Sequence, residues 1–129
     1  TRLVITNKIL TNRKTVLNNT KNLVKESEFV ITKYSSAYSF ALFYEKPILF
    51  FYTNELFKFK KWVELINTMA ATLGTKTINI NNKYSENYIK SMLKVDKDLY
   101  KKCVNDYLVS VENKSNYQII RDTIEKFKA

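Results

Sequence analysis

The chain has 129 residues, 45% of them hydrophobic and 14% aromatic, a balance that fits one packed domain over residues 1–129 rather than a disordered polymer. Lys and Arg outnumber Asp and Glu by 22 to 12, and the formal charge of +10 favours anionic partners, although Lys among Asn and Ile can also reflect compositional bias alone. With no histidine, one cysteine and one glycine, the chain by itself excludes histidine-based triads, zinc clusters, internal disulfides, dinucleotide fingerprints and glycine-rich phosphate loops.

Leu3–Ile5 reads as a short strand, and Thr15–Glu26 as a helix with Val16, Leu17, Thr20, Leu23 and Val24 on one face. Phe29–Thr32 is a β-branched apolar run of the kind a buried strand uses. Ala37–Tyr44 is apolar on nearly every face, as a short buried helix would be. Pro47 cannot continue a helix and pushes Lys46 towards extended backbone, so Ile48–Tyr52 is the next strand. Two strands joined through a helix should pair in parallel with a right-handed crossover.

From Glu55 to Leu73 the apolar positions Leu56, Phe59, Trp62, Val63, Ile66, Met69, Ala70 and Leu73 predict one long amphipathic helix, capped by Gly74. Within it, Phe57–Trp62 interleaves aromatics with lysines. That pattern can mark nucleic-acid or membrane contact, but it equally describes a helix with Phe59 and Trp62 inward and Lys58, Lys60 and Lys61 solvated, which is the preferred reading. A strand Thr77–Ile80 and a turn at Asn81-Asn82-Lys83 follow. Three helices complete the chain. One spans Ser85–Leu93. The second is capped by Asp96, with a stripe of Leu99, Tyr100, Cys103, Val104, Tyr107 and Leu108. The third is capped by Ser115, with Tyr117, Ile120, Ile124 and Phe127 inward. On that stripe Cys103 reads as a buried, inert thiol, consistent with a reducing cytoplasm.

These elements predict an α/β fold: a small parallel sheet flanked by helices, with a helical C-terminus. Neither a signal peptide nor a transmembrane helix is visible, since Lys33, Glu45 and Lys46 interrupt the most apolar window. So small a parallel sheet, in a chain that opens at Thr1, is expected to lack preceding β-α units or to be covered by a partner.

The segment that could carry chemistry is Tyr34-Ser35-Ser36, between the second predicted strand and the apolar helix. Parallel sheets bind ligands at the carboxyl ends of their strands, and these residues should fall there. Hydroxyls in such a turn either cap the helix's first amides or release them to a phosphate, with Lys33 adding charge. Both readings are open from the spacing. Glu26, Glu28, Glu45 and Glu55 flank the sheet elements without forming an acid–base pair.

The run Val30-Ile-Thr-Lys-Tyr34-Ser-Ser-Ala37, followed by an apolar helix, Lys46-Pro47 and the strand to Phe51, resembles the C-terminal, donor-binding half of GT-B glycosyltransferases. It is most similar to enzymes of bacterial capsule- and teichoic-acid-like surface carbohydrate biosynthesis, including CDP-glycerol glycerophosphotransferases. Leu23-Val-Lys-Glu-Ser-Glu-Phe29 resembles the helix ending that leads into that pattern. Close resemblance covers about residues 20–56. It implies a Rossmann-like domain in which Ser35, Ser36 and the amide of Ala37 hold the phosphates of a nucleotide-activated sugar or polyol phosphate, beside Lys33 and Tyr34. It also implies a glycan acceptor, no metal and no cofactor beyond the donor. The setting would be cytoplasmic, at the inner face of an anionic membrane. Two positions depart from the pattern. Phe40 stands where glycerophosphotransferases place a ribose-binding acid, and Lys33 where Asp or His is common. The catalytic base would come from an N-terminal domain, so the isolated chain is expected to be inactive. Loss of nucleotide binding, leaving an interaction scaffold, is the rival reading that Phe40 motivates. A basic nucleic-acid-binding module is a third and is disfavoured.

Overall fold

In a computed structural model of the chain, residues 18–109 and 114–128 are described. The expected strand Leu3–Ile5 and residues 15–17 of the first expected helix lie outside them, and that helix begins only at Thr20, after Asn18 at φ 57°. Among the described residues the chain runs α1 (Thr20–Glu26), β1 (Val30–Thr32), α2 (Tyr38–Phe43), β2 (Ile48–Tyr52), α3 (Asn54–Phe57) and α4 (Lys60–Thr72). It continues through β3 (Thr77–Asn79), α5 (Glu86–Met92) and α6 (Lys97–Tyr107) to α7 (Asn116–Lys128). The strands form a three-stranded sheet of order β1-β2-β3. Both pairings are parallel, with Ile31 beside Leu49 and Phe51 beside Ile78. This is the α/β fold with a small, helix-flanked parallel sheet and helical C-terminus that the sequence predicts.

β2 is the central strand, and its apolar run is explained by burial on both faces. Ile48 and Phe50 point into the main core with Ala41 and Leu42 of α2, Ile66 and Ala70 of α4, and Tyr100 and Cys103 of α6. Leu49 points the other way, into a smaller cluster with Ile78, Met92 and the flanking Ile89 and Tyr84. Fully burying each Phe or Ile of this strand contributes about 1.5–3 kcal/mol. Helices α2 and α4 lie on the same face, as two crossovers of one hand require when the chain steps in one direction across a sheet. At the β1 edge no described helix packs on the second face, and Ile31 is 57% exposed.

Local signals set most boundaries. α2 ends in a Schellman turn: the amide of Glu45 donates to the Leu42 carbonyl and that of Lys46 to the Ala41 carbonyl, with Glu45 at φ 49°. Gly74 closes α4 the same way at φ 70°, with the Thr75 amide donating to Ala70. Ser85 accepts from the Tyr88 amide, and Asp96 accepts from those of Asp98 and Leu99. Ser115 and Gln118 form a reciprocal capping box, in which each backbone amide donates to the other's side chain.

Three expectations are corrected. The helix drawn over Glu55–Leu73 is two helices, broken at Lys58-Phe59, where Phe59 has φ −104° and ψ 76°. Thr53 caps α3 by accepting from the Leu56 amide, and the amides of Lys58 and Phe59 close α3 as a tight turn onto Glu55 and Leu56. Apolar spacing cannot detect such a break. Secondly, Phe59 and Trp62 do not point inward: they are 62% and 48% exposed. Thirdly, Tyr107 on α6 and Tyr117, Ile120, Ile124 and Phe127 on α7 are exposed, and α7 has no buried residue. Helical period identifies an apolar face but not what covers it.

Two stability predictions follow from the packing. Gly74→Ala forces a Cβ to 2.8 Å from Leu99 Cδ1 at a positive φ. It should lower stability by about 1–2 kcal/mol, seen as a lower urea midpoint at unchanged slope. The Tyr100 hydroxyl donates to the Lys46 carbonyl at 3.1 Å, beneath the Lys46-Pro47 entry to β2. Burial pushes this phenol from 10.0 up to about 12, an effect that the Ile48 backbone only partly offsets. A raised folded pKa means a contribution complete below pH 10 and lost as pH rises to about 12. Tyr100→Phe should therefore cost about 1 kcal/mol at neutral pH and make the alkaline loss of stability shallower.

Candidate functional site

The carboxyl ends of the three strands share one rim. After β1 the chain turns through Lys33-Tyr34-Ser35-Ser36, after β2 through Thr53-Asn54-Glu55, and after β3 through Ile80-Asn81. Parallel pairing brings these loops together, although residues 33 and 81 are far apart in sequence. The β2 and β3 loops are tied by asparagines. Asn79 Nδ2 donates to Asn54 Oδ1 at 2.7 Å, and the Asn54 amide donates to Asn81 Oδ1 at 2.8 Å. Asn81's own amide donates to Asn79 Oδ1, while Asn79's amide reaches the Tyr84 hydroxyl. Sequence reading missed this network, because isolated asparagines carry no signal until the sheet order sets them side by side.

The β1 loop holds every residue that the resemblance places at the donor phosphates. Lys33, Tyr34, Ser35 and Ser36 are exposed, and Ala37 is half-buried. Helix α2 begins at Tyr38, later than the position just after Ser36 that was expected. The amides at its start are already engaged. Ser35 Oγ accepts from the Ala37 amide at 3.2 Å, and the carbonyls of Ser35 and Ser36 accept from the amides of Tyr38 and Ser39. Ser39 Oγ also donates to the Ser36 carbonyl. Ser35 thus closes a turn onto Ala37, the residue before α2, and α2 itself has no side-chain cap. The Ser36 hydroxyl makes no hydrogen bond among the described residues.

Two adjoining open clefts meet at Tyr34. One, about 650 Å³, is lined by Tyr34, Ser35, Ser36, Tyr38, Leu65 and Met69. The other, about 400 Å³, is lined by Lys33, Tyr34, Leu56, Trp62 and Ile66. The Tyr34 and Trp62 rings meet edge to face, with centroids 5.5 Å apart, forming the wall between them. A smaller cleft of about 190 Å³ lies between α2, α4 and α6. Its lining of Tyr38, Phe50, Thr68, Met69, Thr72, Leu73, Cys103 and Tyr107 has no cation and does not suit an anion. Cys103 there is buried, and burial pushes its thiol up, so it is the inert cysteine that the sequence predicts.

Charges of both signs meet at the rim. Glu55 is held below the usual carboxylate range, first by the Thr53 hydroxyl and then by backbone, with Lys58 and Lys33 contributing. It is a counter-charge to those lysines. Phe40, at the position of an expected acid in the resemblance, packs against the main core. Among the described residues no group of His, Cys, Asp or Glu could hold a metal ion. Lys33, Ser35 and Ser36 bring a cation and two hydroxyls to the clefts that meet at Tyr34.

No protein-family model, curated protein or solved structure matches this chain in comparison.

Ser35→Ala removes the bond from the Ala37 amide and should lower stability by about 0.5–1 kcal/mol. Urea unfolding at neutral pH measures this, and an unchanged midpoint would deny the turn bond a part in stability.

Proposed function

We propose that this chain is the donor-nucleotide-binding part of a glycosyltransferase or glycerophosphotransferase-like protein of bacterial cell-surface polysaccharide biosynthesis. The observation that carries the reading is the place of Tyr34-Ser35-Ser36 at the carboxyl end of β1, beside the central strand and opening onto the larger cleft. The resemblance of Val30–Phe51 to donor-binding halves supplies the class, and the net positive charge is compatible with an anionic donor.

In this reading the pyrophosphate of a nucleotide-activated sugar or polyol phosphate lies over the β1 loop. The free Ser36 hydroxyl and the Lys33 ammonium donate to it. Rotation of Ser35 Oγ away from the Ala37 amide would add a backbone donor. The domain's contribution is electrostatic: it stabilises the charge that grows on the leaving nucleotide. By the resemblance, the base that activates the glycan acceptor would lie in a separate N-terminal domain.

Ser36→Ala is the direct test. Calorimetric titration with CDP, UDP, CMP and GDP should find at least one nucleotide that binds. The variant should bind it roughly tenfold more weakly, because a hydrogen bond to a charged group is lost. Far-UV circular dichroism should be unchanged. Equal affinity in both proteins would remove the site assignment.

A second reading, an interaction scaffold that no longer binds nucleotide, is favoured by two observations. The amides of Ala37, Tyr38 and Ser39 are all satisfied internally, and Phe40 is committed to the core. Absence of binding to every nucleotide in the same titration would select it.

A further inference from the structure

The corner between α3 and α4 exposes more aromatic surface than folding explains. Phe57, Phe59 and Trp62 are 58%, 62% and 48% exposed, and Lys58, Lys60 and Lys61 between them are exposed as well. Phe59 stands at the break between the two helices, and Trp62 lies beside the α4 face that buries Val63, Ile66 and Ala70. Two carboxylates face the patch. Glu55 on α3 interacts with Lys58 and with Lys33 of the β1 loop, and Glu64 lies one turn beyond Lys60 on α4. Four lysines against two carboxylates leave the corner cationic. None of Lys58, Lys60 and Lys61 is in an ion pair among the described residues.

We propose that the α3–α4 corner docks this chain on an anionic lipid surface. Aromatic rings are stable at headgroup depth, where one part is apolar and another wet, and lysines beside them reach lipid phosphates. The alternation of ring and lysine along 57–62 presents both chemistries at one protruding turn. The chain's positive field would draw it to such a surface from a distance.

Single-stranded nucleic acid, which also seeks lysines and aromatics, fits less well. Stacking needs open ring faces in succession. Here the Trp62 ring is met by Tyr34, and the Phe57 ring lies 6.1 Å from that of Tyr52, which leaves Phe59 alone without a ring partner among the described residues. Shallow insertion needs only exposed ring edges, which all three provide. The inference stands on this exposure and does not depend on the nucleotide reading.

Trp62 is the only tryptophan, so its emission reports directly on the corner. The full chain is titrated at low salt with vesicles of equal parts phosphatidylcholine and phosphatidylglycerol, then with phosphatidylcholine alone and with oligothymidylate. With anionic vesicles the emission should shift to the blue, be quenched by brominated acyl chains, and revert as salt is raised. Phosphatidylcholine alone should produce neither change. Reversing the charge of Lys58, Lys60 and Lys61 to Glu should cut the partition coefficient roughly tenfold or more. Phe59→Ser, a change at an exposed site, should weaken partition with unaltered circular dichroism. No blue shift with anionic vesicles overturns the proposal. So does partition that survives these corner variants but is lost in Ile120→Asp, which would place docking on α7. Quenching by oligothymidylate without any lipid response overturns it in favour of nucleic acid.

Discussion

Everything in this fold hangs on β2. Of its five residues, Ile48–Phe50 pair in parallel with β1 and Phe50–Tyr52 with β3, and the first three are buried, on alternating faces. A strand placed this way must be apolar without alternation, must be entered from an extended residue, and must have helices on both sides. Pro47 supplies the entry, with the Lys46 carbonyl held by the Tyr100 hydroxyl from α6. Helices α2, α4 and α6 cover one face, and α5 with Tyr84 covers the other. Remove the burial of Ile48 and Phe50, and neither the crossover helices nor the loops at the strand ends have a fixed place.

That constraint also decides where chemistry can occur. Parallel strands in register put the β1, β2 and β3 turns on one rim, so hydroxyls of the β1 loop, the Thr53–Glu55 cap and the Asn79–Asn81 turn become neighbours. The rim carries cations, hydroxyls and amides, and the Glu55 carboxyl there is held below the usual carboxylate range. The serine turn has a double character: Ser35 is spent on the backbone, whereas Ser36 is not. An Oγ two residues before an amide can close a small ring onto it, as Ser35 does on Ala37; Ser36 stands in the same relation to Tyr38, but that amide donates to the Ser35 carbonyl instead.

The two surfaces left apolar by folding have different origins. At the α3–α4 corner, the Thr53 cap and the tight turn closing α3 interrupt the helix at Phe59 and leave that ring outside both helices. On α7 the apolar face is regular, and the capping box at Ser115 fixes its start, but no described residue buries it. The first is a consequence of backbone geometry, the second of what the chain does not pack against it. Among the described residues no helix is long and apolar enough to cross a membrane.

The sequence by itself determined the elements whose signals are local. Pro47 and an unbroken apolar run specify β2. Gly74 specifies the end of α4 because only a residue tolerant of positive φ closes that turn cheaply. Asp96 and Ser115 specify helix starts through side-chain acceptors two or three residues from the amides they satisfy. The parallel pairing of β1 and β2 was legible too, since a helix between two strands leaves little other choice. Only the tertiary structure decided the rest. The helical period of 55–73 is equally compatible with one helix or two, because it records side-chain direction and not backbone continuity. The exposure of Phe59 depends on that break, and that of Trp62 on which face of α4 the core takes up. The asparagine network depends on the sheet order, and the commitment of Ser35 to Ala37 on the dihedral angles of a turn. Each of these is set by contacts between residues brought together in space, and no pattern along the chain encodes them in advance.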